Sequence, residues 1–319
     1  MNRNEFLDAL PISRITLKVI GAMLEICTDD IDDIHVMVSG TDREVSGLKV
    51  NVHADQLLIE QPATALARNP VSPSWMQLTV RLPRSWKGRI DARTVTGWVN
   101  ARSLRGADLT LESISGMIIA SDLDFITLSL RSVTGDLHLT DAACQSCALS
   151  TTSGEVKAGA VTLRTCSLNS ITGCVSLMLP EPFEEITATT VSGDVFIQAP
   201  VPACDAALRS VAGHIRTGGI AITQGAPRIR MTSVSGGLDV SCPEAEALPG
   251  TDDDPEADES GYPQDFPYNN DSDFKEVFSH GSTEFWFWRR RKHAAAHASG
   301  AEDAADDDRG AGEAGRGGV

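Results

Sequence analysis

The sequence predicts an all-β protein, a single-stranded parallel β-helix or β-solenoid with 19–20 residues per coil. A six-residue motif of the form small, apolar, small, Gly, any, apolar recurs eight times, from 94–99 to 233–238. The glycines of these copies are spaced by 19, 19, 19, 19, 20, 20 and 23 residues. Apolar residues alternate with polar ones after each glycine, which is the period of a strand with one buried side. Such a repeat is typical of stacked coils that bury their apolar faces against one another.

The alternating positions predict the core of the solenoid. The first apolar residue after each motif glycine should belong to one buried ladder, which contains Val99, Ile118, Leu137, Val156, Val175, Val195, Ile215 and Leu238. A second buried set follows in the early coils, namely Leu109, Leu111, Leu128, Leu130, Leu149 and Leu168. The motif glycine is expected at a turn, where a residue without Cβ takes positive φ easily. Parallel crossovers favour a right-handed coil.

Pattern and composition divide the chain into five segments. They are a short N-terminal segment (1–11), the solenoid (12–243), an acidic linker (244–261), an aromatic and basic segment (262–292) and a disordered tail (293–319). Within the solenoid, 12–90 are interpreted as irregular N-terminal coils and 91–243 as regular repeats. The irregular coils are expected to act as a cap, because an uncovered end coil exposes a strand edge and an open core.

The charge of the chain lies mainly in its last quarter. Residues 243–319 contain 19 acidic and 7 basic residues, a net charge of −12 within the total of −17. This balance argues against a nucleic-acid partner, which requires a basic surface. Seven cysteines, no export signal and no apolar run of about 18 residues together favour a cytoplasmic location. The alternative is the cell surface, reached by a non-classical route.

Two motif copies carry a resemblance to a known family. Residues 133–137 read Val-Thr-Gly-Asp-Leu and 191–195 read Val-Ser-Gly-Asp-Val, and a strand-like Leu-Thr-Val-Arg-Leu-Pro at 78–83 precedes them. Over roughly 12–243 the chain resembles the bacterial putative-adhesin domain family, domain of unknown function 4097. The resemblance implies β-strand repeats and supplies no catalytic residues. Residues 1–10 also resemble the beginning of a short helical module that accompanies such domains.

Four cysteines invite a zinc hypothesis, because Cys144 and Cys147 have metal-ligand spacing and Cys166 and Cys174 follow. The repeat favours another interpretation. Cys147 and Cys166 each lie twelve residues after a motif glycine, where Leu128 stands in an earlier coil. Cysteine packs well as a small apolar residue. We therefore predict core packing for these two cysteines and no metal site.

A second candidate row directly follows the glycines and consists of Asp136, Glu155, Cys174, Asp194 and His214. Stacked carboxylates can hold Ca²⁺ or perform acid–base chemistry. Acidic residues beside a turn glycine are also ordinary turn chemistry. We favour solvated turn charges and predict no catalytic, cofactor-binding or metal-binding residue.

The candidate binding residues lie in the tail and are Phe285, Trp286, Phe287, Trp288, Arg289, Arg290, Arg291 and Lys292. Aromatic residues beside a basic run can fill a partner's pocket or lie at a membrane interface. The segment 274–292 could thus make a peripheral membrane contact. Alternatively, 274–288 fold back and cap the last coil.

The functional prediction is a non-enzymatic binding or scaffold protein that needs no cofactor. Its coils are uniform, and the connecting loops are too short to wall a cleft. The expected partner is an unknown protein or envelope component. One alternative is a polysaccharide-active enzyme built on a β-helix. The other is a cytoplasmic regulatory partner that responds to envelope stress or associates with the membrane.

Overall fold

The computed structural model describes residues 1–62, 76–225 and 227–242, which form twenty strands and one short helix. In these residues no helix combines the length and apolar character needed to cross a membrane. The elements are β1 (Asn2–Leu7), β2 (Arg14–Gly21), β3 (Met23–Asp29), β4 (Ile34–Ser39), α1 (Asp42–Gly47), β5 (Lys49–His53), β6 (Gln56–Glu60), β7 (Gln77–Pro83), β8 (Arg89–Thr96), β9 (Val99–Ser113), β10 (Ile118–Ser132), β11 (Leu137–Ser150), β12 (Val156–Asn169), β13 (Val175–Met178), β14 (Glu185–Thr189), β15 (Val195–Gln198), β16 (Ala203–Ser210), β17 (Ile215–Gly218), β18 (Ala221–Ile222), β19 (Arg228–Ser233) and β20 (Leu238–Ser241).

The four regular coils β9 to β12 pair in parallel, and each residue lies beside the one 19 positions later. The pairing of β10 with β11 runs over 118–121, 123–125 and 127–131, so the ladder is interrupted at two places in the coil. The first break falls at a non-glycine residue with φ of 51° to 55°, which is Ser103, Asp122, Asp141 or Ala160. A left-handed residue recurring at the repeat period makes one corner of each coil. The chain is thus a β-solenoid, as predicted.

The predicted core ladder is confirmed at seven of its eight positions, because all of its members except Ile215 are buried. The second set, with Leu109 and Leu128, is also buried. The prediction for Ile215 is wrong, since 45% of this residue is exposed. Ile215 pairs with Leu238 on one side, and among the described residues its coil is the last of the stack.

The order of coils in space departs from the order in sequence at both ends. Near the C-terminal end, β14 and β15 pair with β19 and β20, and these pair in turn with β16 and β17. The coil over 228–241 therefore lies inside the coil over 203–218, which comes earlier in the chain. Near the other end, β2 and β3 lie between the coil of β6 and β7 and the coil of β8 and β9. At each end the coil nearest the terminus in sequence lies second in the stack.

The two ends of the stack are finished differently. At the N-terminal end, β4 pairs antiparallel with β7, β1 with β4, and β5 with β6. The resemblance of 1–10 to a helical module is therefore wrong, because Asn2–Leu7 is a strand of this cap. At the other end, all four residues of β17 are exposed, and within the described residues this strand pairs with β20 alone.

Candidate binding surface

A hydroxyl side chain shapes the turn at seven of the eight motif glycines. In seven copies the Ser or Thr three residues before the glycine accepts a hydrogen bond from the glycine N–H. Ser132 Oγ, for example, accepts from the N–H of Gly135 at 2.8 Å. The first small residue of the motif is therefore a cap for a buried amide that would otherwise lack a partner.

The motif glycines are required by close backbone approach. A Cβ on Gly135 would overlap the carbonyl oxygen of Gly116 in the neighbouring coil, and the same holds from coil to coil along the stack. Gly97 has a φ of 119°, but the other seven motif glycines lack positive φ. The expectation of positive φ is therefore wrong for those seven. Each glycine is needed because a side chain would push adjacent coils apart.

In most copies a hydroxyl residue just before the glycine ties its coil to the neighbouring coil on the N-terminal side. Ser115 Oγ donates to the carbonyl of Val95 at 3.2 Å, and Thr134 Oγ1 donates to that of Ile114 at 3.2 Å. The same bond recurs at residues 153, 172, 192 and 235. The acceptor is the carbonyl of the second residue of the motif in the neighbouring coil. The side chain of that residue is directed to solvent.

These outward side chains form one continuous row that we call the apolar ridge. In order along the stack it contains Val95, Ile114, Val133, Thr152, Ile171, Val191, Val234 and Val211. Its seven Val and Ile side chains are 38% to 83% exposed. Seven steps of about 4.8 Å give the ridge a length of about 34 Å. At its N-terminal end the exposed Trp98 and Met23 line a depression of about 310 Å³.

The carboxylates that follow the glycines have structural partners. Asp136 Oδ1 accepts the N–H of Glu155 at 2.8 Å, and Asp194 Oδ1 accepts the N–H of Gly237 at 2.7 Å. Glu155 forms an ion pair with Lys157 at 2.9 Å. Asp136 and Asp194 are three coils apart, about 14 Å at strand spacing. Paired glycosidase carboxylates lie about 5–9.5 Å apart, so these two do not form such a pair.

The cysteines occupy the core positions that the repeat predicts. Cys147 pairs with Leu128 on one side and Cys166 on the other, and both cysteines are buried. A hydrogen bond with Cys147, followed by burial, raises the pKa of Cys144. The hydrogen bond with Cys144 lowers the pKa of Cys147, but Cys166 and burial outweigh it and raise that pKa. A raised pKa disfavours the thiolate that binds metals.

The remaining candidates from the sequence are a metal site and the docking segment. In the part of the chain that the structure describes, no three His, Cys, Asp or Glu side chains are grouped to hold a metal ion. The predicted docking segment 285–292 lies outside the described residues, as do the predicted linker and tail. The apolar ridge is thus a surface that sequence reasoning did not single out, although its residues are the second position of the motif.

The fold and the ridge define a β-solenoid with a long exposed apolar corner. Residues 12–217 match the Toastrack DUF4097 family, and the chain belongs to this family. The expected resemblance to the putative-adhesin domain family is therefore confirmed. None of the curated proteins matches the chain.

Three solved structures of low sequence identity are similar to this chain. A putative adhesin from Bacteroides fragilis is 15% identical with a TM-score of 0.50, over 76% of this chain and 97% of its own. A putative adhesin from Parabacteroides merdae is 10% identical with a TM-score of 0.48, over 75% and 95%. A putative lipid binding protein from Parabacteroides distasonis is 17% identical with a TM-score of 0.40, over 75% and 96%. At this identity, the first likeness shows the fold alone.

Proposed function

We propose that the chain is a non-enzymatic binding or scaffold protein whose apolar ridge binds an elongated protein or envelope partner. The exposed row of Val and Ile side chains carries the proposal. Single exposed apolar residues are normal on a soluble protein, but a continuous apolar surface marks an interaction site. The ridge recurs at the coil period, and therefore offers a similar apolar contact to a partner at every step except that of Thr152.

The surroundings of the ridge suit an apolar partner. The hydroxyls of Ser115, Thr134 and their equivalents are already bonded to backbone carbonyls, so covering them leaves no new polar group unsatisfied. The depression beside Trp98 provides a place for an anchoring side chain, since aromatic residues dominate interface energies. The Bacteroides fragilis relative is named a putative adhesin, which agrees with a binding class.

The proposal is tested with two variants that each replace three exposed apolar side chains with serine. The ridge variant carries Ile114→Ser, Val133→Ser and Ile171→Ser, and the control carries Ile126→Ser, Met178→Ser and Phe196→Ser, which are exposed elsewhere. Quantitative capture from a lysate of the source bacterium should identify a partner that both wild type and control retain. The ridge variant should lose it by about tenfold or more.

Equal retention by the ridge variant would contradict the proposed surface. The enzyme alternative has its own readout, namely turnover of acidic or neutral polysaccharides by the purified chain. Turnover that Asp136→Ala or Asp194→Ala abolishes would overturn a non-enzymatic function. The cytoplasmic location and the membrane contact of 274–292 stay predictions, which cell fractionation and binding to anionic vesicles test.

A further inference from the structure

A second surface lies near the N-terminal end, on the outer face of β2, β6, β8 and β9. It is an open depression of about 440 Å³. Its lining consists of Arg14, Thr16, Lys18, Gln56, Arg89, Ile90, Asp91, Arg93, Asp108 and Thr110. Four of these ten side chains are cationic and two are anionic. The depression therefore has a positive character on a chain that is acidic as a whole.

The strand register places like charges side by side in this depression. Arg14 lies directly opposite Arg89 across the β2–β8 pair, and Lys18 lies opposite Arg93. Like charges at directly opposed positions destabilise a sheet. On its other side Arg14 lies opposite the neutral Gln56, and Lys18 lies opposite Glu60. An anionic ligand would therefore offset the repulsion mainly at Arg14 and Arg89.

The acidic neighbours compensate one member of each pair. Arg89 forms an ion pair with Asp108 at 2.8 Å. Arg93 forms ion pairs with Asp91 at 3.0 Å and with Glu112 at 3.3 Å.

Arg14 and Lys18 differ from their opposed partners. Among the described residues, no carboxylate lies within ion-pair distance of either cation. Asp55 is the carboxylate that Arg14 influences. The pKa of Asp55 is lowered mainly by the hydrogen bond from Ser13, and Arg14 contributes least. Two exposed cations are thus available to a ligand.

The same face offers neutral hydrogen-bonding groups around and beyond the cations. Gln56 Nε2 donates to Thr16 Oγ1 at 2.9 Å, which leaves the amide oxygen of Gln56 as an acceptor beside Arg14. In the following coils, the outward positions in register with Asp108, Thr110 and Glu112 are mostly hydroxyl or amide residues. They are Thr127, Ser129, Ser146, Ser150, Thr165, Ser167, Asn169, Thr187 and Thr189. This surface matches a ligand that bears many hydroxyl groups.

We propose that the depression binds a carboxylate-bearing sugar of an acidic polysaccharide, with Arg14 and Lys18 as the charged contacts. The hydroxyl-bearing face beyond the depression contacts the adjoining sugar rings. Arginine suits a planar carboxylate because its guanidinium can donate two parallel hydrogen bonds. No residue that lines the depression belongs to the apolar ridge, so either surface can be disproved without the other. Such a ligand would favour the cell-surface alternative for the location of this chain.

The test compares Arg14→Gln/Lys18→Gln with Arg209→Gln/Arg216→Gln in the full chain. Both variants remove two positive charges at exposed positions, and the control pair lies at the opposite end of the stack. Calorimetric titration at low salt uses oligogalacturonate, with neutral dextran and an oligo-dT strand as comparison ligands. We expect the depression variant to bind oligogalacturonate at least about tenfold more weakly, because hydrogen bonds to charged groups of this kind are worth that factor. The control should bind like wild type.

Four outcomes would overturn the proposal, and the first three concern oligogalacturonate alone. They are wild-type affinity in the depression variant, equal losses in both variants, and no detectable binding of oligogalacturonate by the wild-type chain. Binding of oligo-dT as tightly as oligogalacturonate would also overturn it, because the site would then recognise charge without the sugar. Circular dichroism of each variant verifies the fold. The ridge variant with Ile114→Ser, Val133→Ser and Ile171→Ser should keep full oligogalacturonate binding.

Discussion

The two ends of the solenoid place equivalent residues in different surroundings. Leu78 in the outermost parallel coil of the N-terminal end pairs with Leu24 on one side and Val38 on the other, and is fully buried. Ile215 holds the corresponding position at the opposite end, pairs with Leu238 alone among the described residues, and is 45% exposed. Burial of a ladder residue therefore requires a neighbouring strand on each side of it. Its position in the repeat alone does not determine burial.

The largest expected effect separates these two positions. Leu78→Ala should lower the free energy of unfolding by about 2–5 kcal/mol, because it leaves a cavity in a closed core. Ile215→Ala should cost less than about 1 kcal/mol, since its side chain is already half in water. Urea denaturation of both variants measures the difference. Similar losses would show that the C-terminal end is covered as completely as the N-terminal end.

A methyl group on a motif glycine should give the next largest effect. Gly135 lies between the coils of Gly116 and Gly154, and Gly213 lies beside Gly236 in the coil that is the last of those the structure describes. Gly135→Ala should destabilise the chain by about 2–3 kcal/mol, because neither neighbouring coil can move away. Gly213→Ala should cost about 1 kcal/mol, because the end coil can shift outwards. Thermal unfolding of the two variants is the measurement, and a reversed order would refute this account of the open end.

The smallest effect concerns the hydroxyl cap. Ser132 is buried and accepts the N–H of Gly135, and the half-buried Ser210 accepts the N–H of Gly213 at 2.9 Å. Ser132→Ala leaves a buried amide without a partner and should cost about 1–2 kcal/mol. Ser210→Ala should cost about half as much, since water can reach the amide of the end coil. Amide hydrogen exchange at Gly135 and Gly213 reports each bond directly. Equal protection losses at both glycines would argue against an open end.

Most of the fold follows from two regularities of the sequence. The spacing of the glycines predicts the coil, and the alternation after each glycine predicts the buried ladder through Leu137 and Val156. Both are local patterns, and the regular coils from β9 to β12 obey them. The position of Cys147 and Cys166 in the core follows from the same register. The hand of the coil stays a prediction.

The rest depends on information that the repeat does not contain. The alternation of buried and exposed residues holds within a strand and is lost at a turn. It therefore does not predict that Val133 faces solvent while Leu137, after the turn, faces the core. A glycine pattern does not distinguish positive φ from close backbone approach. The exposure of Ile215 depends on which coil lies beside it, and only the 23-residue spacing before Gly236 hints at that change of order. The depression at Arg14 and Lys18 requires strands that are far apart in sequence.

The exchange of coil order determines which coils can pair first while the chain is being synthesised. Residues 203–218 leave the ribosome before 228–241, and yet they stack on the stretch made later. Residues 14–29 likewise wait for 56–60 and 77–83 before their outer edge is paired. Neither end can therefore be completed by adding each coil as it emerges. In the finished molecule, the stretch that leads to Cys242 is held on both sides, so a pulling force at that point acts on a clamped coil and not on a free edge.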